Sequence, residues 1–343
     1  MTDLLWPSDG NQTGRFDKSM SFAFTQHLGF SGSPIRGEAT ARASGKVILV
    51  GEHAVVYGAR AIAIPLLSRS MKLHIYTDRI TTTNPKIKFQ IAAQPVHPSL
   101  IDMVLEAFDV LQIPKFNLSI DGQSTLMLGA GVGSSASLCV GILRGLCQVC
   151  GLSITPARLS ELANRLERRF HGNPSGLDTA VVALEQAIIF ERGRNAEAII
   201  VNKPKNSNLP WCFVLIDSGV RSPTINMVRA AEPWFRNAGQ TAVESFNALT
   251  DRAAVALRDG DTELLCTAMN ECQDLLAEIG VVTEPLIEMM NLAKRHGALA
   301  VKVTGAGGGG CVLALLPAFR CDSIVANLRR ELGESRIHPI FIP

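Results

Sequence analysis

The chain has 343 residues, of which 47% are apolar and 19% charged, with a formal net charge of +2. That length and apolar content suit about two domains with buried cores, and the near-neutral balance offers no footprint for nucleic acid. No apolar run reaches the roughly 18 residues that span a bilayer, and the densest basic cluster, RLERRF (Arg165 to Phe170), reads as one solvated helix face.

In chain order, residues 1–42 read as a loosely ordered extension with neither a signal-peptide nor a transit-peptide pattern, and Met20 is a second candidate start. KVILV (Lys46 to Val50) predicts a short strand closed by Gly51, followed by the apolar segment AIAIPL. SMKLHIYTD (Ser70 to Asp78) alternates as a strand, with Met71, Leu73 and Ile75 on one face. SLIDMVLEAFDVL (Ser99 to Leu111) has helical period, and FNLSID predicts a strand that ends at the Asp121-Gly122 turn signal. A glycine-serine stretch then opens a helix running to about Cys150. The next helix carries its own punctuation: Thr155 as N-cap, Pro156 at the first position and Gly172 past the end.

QAIIFE (Gln186 to Glu191) returns to strand, and the polar, turn-rich NKPKNSNLP (Asn202 to Pro210) is the candidate domain boundary. Beyond it WCFVLID reads as a strand, NMVRAAEPWF, AVESFNALTDRAAVALRDG, TELLCTAMNECQDLLAEIG and TEPLIEMMNLAKRHG as helices, and ALAVKVTGAGGGGCVLALL as strand, glycine run and strand. Strands and helices mix in both halves without regular alternation, so the fold class is α+β. Eight cysteines with no secretion signal fit a reduced, cytoplasmic protein, and the CxxC of Cys147 and Cys150 lies in an apolar helical pattern as buried thiols.

Four motifs carry candidate chemistry. GAGVGSSAS places Gly129, Ala130, Gly131, Val132, Gly133, Ser134, Ser135 and Ala136 at a helix start. A helix start offers unpaired amides and the positive dipole end, and glycines let the backbone close on an anion such as phosphate. A plain glycine turn with Ser134 as cap is the competing reading. No Gly-Lys-Ser/Thr follows, so this is no Walker A loop. TGAGGGGC (Thr304 to Cys311) matches GxGxxG, but a strand follows where a dinucleotide site needs a helix, so a flat loop packed against another backbone or a ligand is expected. GEHAVVYG puts Glu52 and His53 just after a strand that begins at Lys46; an ordinary strand-to-loop transition would look the same. HGNPSGLDTAV (His171 to Val181) sets Asp178 after a turn, as a cap or as a functional carboxylate, and Glu167 lies near the end of the preceding helix, against its dipole.

Taken together and in this order, GKVILVGEHAVVYG, GAGVGSSAS, ERRFHGNPSGLD and KVTGAGGGGC resemble the GHMP kinase family, in particular its mevalonate-phosphorylating branch. The resemblance runs from about Ala43 to the C-terminus. It implies an N-terminal half like ribosomal protein S5 (residues 43–205), a ferredoxin-like C-terminal half (206–343) and an active site in the cleft between them. It implies ATP-dependent phosphorylation of the 5-hydroxyl of (R)-mevalonate in isoprenoid biosynthesis, with a small-molecule substrate, no nucleic-acid or membrane partner, and a homodimer by family likeness. Residue by residue it assigns Gly129 to Ala136 to the ATP phosphates, Ser135 and Glu167 to Mg²⁺, and Asp178 with Lys46 to catalysis. Lys46, Glu52, His53, Asp178, Arg221, Gly305 and Ala306 are assigned to the substrate side. The chain departs from the family pattern at Ser44, where proline is usual, at Thr179, where asparagine is common, and at Pro223, beside the segment that contributes Arg221. Other readings are a relative acting on phosphomevalonate or another alcohol, or a nucleotide-binding sensor without catalysis.

Overall fold

The computed structural model describes residues 37–205 and 207–342. The possible start at Met20 and most of the predicted extension lie outside them. Seven strands form the first sheet: β1 (Glu38–Val50), β2 (Ala61–Thr81), β3 (Ile87–Ile91), β4 (Gln94–Pro95), β5 (Phe116–Ser124), β6 (Ile188–Phe190) and β7 (Glu197–Ala198). The order is β4-β3-β5-β2-β6-β7, with β1 paired to β2 and only β3–β5 parallel. Four helices accompany it: α1 (Pro98–Leu111), α2 (Ser134–Cys150), α3 (Pro156–His171) and α4 (Leu177–Leu184).

The second sheet holds β8 (Trp211–Asp217), β9 (Ala300–Thr304), β10 (Cys311–Leu316) and β11 (Ile337–Ile342) in the all-antiparallel order β11-β8-β10-β9. Counted within this half the order is 4-1-3-2, the ferredoxin-like arrangement. Its helices are α5 (Thr224–Asp259), α6 (Thr262–Ile279), α7 (Glu284–Arg295) and α8 (Cys321–Leu332). The GHMP kinase architecture expected from the resemblance is therefore present in both halves, and no described helix is long and apolar enough to cross a membrane.

The hydrophobic pattern explains the layers. Met71, Leu73 and Ile75 are buried as their alternation predicts, and α2 packs across β1 and β2. Full burial of side chains this size contributes about 1.5–3 kcal/mol each. Thr155 caps α3 as expected, its hydroxyl accepting from the Arg158 amide at 3.2 Å. The first two of the four helical segments predicted in the C-terminal half are one long α5 broken at Gly239 (φ 56°, ψ −133°).

Several expectations are corrected. Glu38 to Arg42, read as extension, belong to β1 because they pair with Tyr76 to Lys72. The two apolar segments after Gly58 are one strand, β2, whose register against β1 jumps from Ser44–Ser70 to Gly45–Leu66, so the intervening residues bulge out. Asp121-Gly122 is no turn: Gly122 sits inside β5, flanked by Leu73 and Ile91, and the absence of a side chain lets β3 approach. The helix predicted from Ser99 starts at Pro98 with His97 as N-cap.

Cys147 and Cys150 are buried and unbonded on α2, as predicted. Cys212 and Cys321, in contrast, form a disulfide, with Cα atoms 6.3 Å apart. They stand 109 residues apart in the chain, and only the tertiary fold brings the start of α8 to β8.

Candidate active site

The glycine-serine stretch forms a loop whose last residue, Gly133, caps α2 in the left-handed conformation (φ 78°, ψ 31°) and offers no side chain to the first helical amides. Those amides stay available to an anion. The loop is fixed from beneath. The Lys46 amide donates to Val132 O at 2.9 Å, and the Ser137 hydroxyl stands 2.6 Å from Ser44 O and 2.8 Å from Gly133 O. Gly133 is required twice over, by its positive φ and by proximity: a Cβ there would lie 2.8 Å from Lys46 Cγ. The Ser134 hydroxyl is buried without a partner among the described residues.

The second glycine run is a flat loop pressed on the first, as expected. A Cβ on Gly305 would lie 3.1 Å from Cα of Gly131. Strand β10 begins at Cys311 directly after the run, so there is no helix for a dinucleotide.

Asp178 is not a helix cap. Gly176 caps α4, and Asp178 sits in the first turn, where the dipole favours its charge. Its Oδ2 lies 3.0 Å from Lys46 Nζ; the lysine is 3% exposed and the aspartate 29%. The aspartate thus presents an open carboxylate held by a buried ammonium.

Glu167 lies beside this pair, buried at the end of α3, and its Oε1 accepts from the Ser135 hydroxyl at 3.0 Å. Ser135 Oγ is also 3.1 Å from Nε2 of His171. Burial pushes the Glu167 carboxyl up to about 8; the Asp178 charge adds to this, while the Ser135 bond and Lys46 oppose it. Burial pushes His171 down, toward the neutral ring. The site therefore combines a helix start without a side-chain cap, a Lys–Asp pair and a buried carboxyl.

His53 adopts φ 59°, ψ −50°, and the Ala54 amide bonds back to Glu52 O at 2.6 Å. This is a classic γ-turn, rare and strained. His53 Nε2 meets Ala306 O at 2.9 Å; the carbonyl only accepts, so Nε2 carries the proton. Burial lowers the His53 pKa, against the Ala306 bond.

Two assignments to the substrate side are corrected. Glu52 does not line the cleft: it is fully buried in an ion pair with Lys302, because the γ-turn directs its side chain toward β9. Arg221 spends its guanidinium elsewhere. Two nitrogens meet the Asp217 carboxylate at 2.6 Å each, and Nε donates to Leu128 O at 3.0 Å, at the root of the phosphate loop. Burial acts against the Asp217 charge, but the Arg221 and Gly219 bonds outweigh it and hold the carboxyl below its ordinary range. Gly305 packs against Gly131, and Ala306 O meets His53.

Sequence reasoning missed Lys302, Thr304 and His171. A lone lysine inside the apolar strand AVKVT needs a buried partner, which was a usable signal. His171 lies four residues after Glu167, on the same helix face.

Residues 99–186 match the model of the GHMP kinases N terminal domain, and residues 253–334 that of the GHMP kinases C terminal domain. The chain is 29% identical to the mevalonate kinase of Pyrococcus furiosus over 81% of its own length and 89% of that protein. The fold is similar to that of L. major mevalonate kinase in complex with R-mevalonate, with a TM-score of 0.75, 22% identity, and coverage of 90% of this chain and 98% of that one. It is also similar to Streptococcus pneumoniae phosphomevalonate kinase in complex with phosphomevalonate and AMPPNP, with a TM-score of 0.71, 19% identity, and coverage of 89% and 100%. With both of its domain models matched in order and its cleft built from the four motifs above, the chain belongs to the GHMP kinase family.

Proposed function

We propose that this protein is a mevalonate kinase, transferring the γ-phosphoryl group of ATP to the 5-hydroxyl of (R)-mevalonate. The observation that carries this reading is the Lys46–Asp178 pair standing directly below the glycine loop, beside the buried Glu167. The sequence relatives favour mevalonate over the other family substrates.

Phosphoryl transfer asks mainly for positioning and for neutralisation of spreading charge. The amides of Ser134 to Ala136 and the loop from Gly129 to Gly133 receive the ATP phosphates. Asp178 accepts a hydrogen bond, and finally the proton, from the attacking hydroxyl. Lys46 holds that carboxylate and offsets negative charge as it develops. His53 and the Gly305–Ala306 backbone frame the substrate.

The residues present fit Mg²⁺: Glu167 is a buried carboxyl facing the helix start, and Ser135 and Ser134 add hydroxyls. Ser135 and Glu167 would hold the ion. Mg²⁺ keeps several waters and shares its ligands with substrate phosphates, so one carboxylate and a hydroxyl are a sufficient protein share. Bound there, Mg²⁺ supplies positive charge to the phosphates.

The division into residues 43–205 and 206–343 falls in the connection between the two sheets. A cytoplasmic location fits the six unbonded cysteines, while the Cys212–Cys321 bond points the other way.

The test is a coupled ADP-release assay with MgATP and, in turn, (R)-mevalonate, phosphomevalonate, homoserine and galactose, repeated on Asp178→Asn. Turnover with mevalonate that falls by about 10²–10⁴-fold in the variant is expected. Turnover only with another alcohol would reassign the substrate, and no turnover despite ATP binding would make the chain a sensor.

A further inference from the structure

Strand β9 carries a lysine where the fold has no need of one. Lys302 is fully buried, and its neighbours Ala300, Val301 and Val303 are apolar and buried. Its ammonium donates to Glu52 Oε1 and, at 2.6 Å, to Val303 O. Taking both charges out of water carries a desolvation penalty that a well-packed apolar pair avoids. Stability alone therefore gives no reason for a lysine here.

The surroundings supply another reason. Residues 302 and 304 project to one side of the strand, and both reach the N-terminal half. Lys302 holds Glu52. The Thr304 hydroxyl accepts from Ile48 N at 3.1 Å and stands 2.9 Å from Ile48 O. Two residues on, Ala306 O accepts from His53. Three successive ties thus join β9 and the start of the glycine run to the end of β1 and the turn that follows. The middle of that turn is His53, in a conformation that persists only where its surroundings enforce it. The turn closes on Glu52 O, so whatever fixes Glu52 fixes the turn.

We propose that Lys302, from the C-terminal half, is a positioning residue for the substrate site: its ion pair with Glu52 holds the γ-turn that aims His53 at the substrate. The proposal rests on the mevalonate reading above. The phosphate loop touches the glycine run at Gly305 but has further ties of its own, through Arg221 and Val132, so loosening Lys302 falls more heavily on the mevalonate side than on the ATP side.

The test measures KM for mevalonate and for ATP in the full chain and in Lys302→Met, Glu52→Gln and the double variant. In Lys302→Met the KM for mevalonate is expected to rise by about ten-fold or more, with that for ATP little changed. The double variant is expected to be no worse than the worse single, because both changes cut one link. An unchanged KM for mevalonate in folded Lys302→Met overturns the proposal. So does a parallel rise in both constants, which a merely structural role would give. If Lys302→Met fails to fold, the apolar pair Lys302→Met/Glu52→Leu replaces it: a raised KM for mevalonate alone supports the proposal, and a wild-type value refutes it. Wild-type turnover with another of the four alcohols would sink the mevalonate reading but leave this one testable, on that alcohol's KM. A wild-type chain that phosphorylates none of them overturns both.

Discussion

Glu167 offers the sharpest check on the cation site, because it can be read from stability without turnover. Its carboxyl is raised from an ordinary 4.5 to about 8, chiefly by burial. The folded chain therefore keeps this proton between those two values while the unfolded chain has lost it. Stability from this group is fully present below about pH 4.5 and is lost as pH rises through about 8. At about 1.4 kcal/mol per pH unit, the whole window is worth about 5 kcal/mol. Glu167→Gln keeps the shape and removes the titration. In the ligand-free protein its unfolding midpoint should rise above that of the wild type near pH 8 and converge with it near pH 5. MgATP should then stabilise the wild type more than the variant, and turnover in the variant should fall by at least about a hundredfold. Urea or thermal unfolding across that pH range decides the matter. Parallel curves for the two proteins would refute the reading that burial holds a proton on Glu167.

Three further outcomes follow from the geometry. Gly133→Ala forces a Cβ to 2.8 Å from Lys46 Cγ at a positive φ; kcat should fall by about 10²-fold with circular dichroism unchanged. Arg221→Ala frees Leu128 O and Asp217, so KM for ATP should rise by about ten-fold while that for mevalonate holds; the reverse pattern would mean that Arg221 touches the substrate after all. Thr304→Val strips the Ile48 backbone of the Thr304 hydroxyl, and denaturant unfolding should register a loss of about 1–3 kcal/mol.

Local features of the sequence were enough to determine much of this protein. The period of SMKLHIYTD set the buried face of β2, the Thr155–Pro156–Gly172 punctuation bounded α3, and the glycine-serine run marked a helix start able to receive phosphate. These signals are short-range, since they rest on side-chain alternation, capping bonds and the conformational freedom of glycine. The tertiary structure decided what depends on partners far along the chain. Asp121-Gly122 looked like a turn, but β3 on one side and β2 on the other make Gly122 part of a strand. Glu52 looked like a residue of the cleft, but a lysine 250 positions away draws it into the interior. Arg221 looked like a substrate contact, but Asp217 and the carbonyl of Leu128 claim its donors. A charged side chain's role is set by whichever counter-charge the fold brings within reach and by how much water is left around it. Neither is written in the residues beside it.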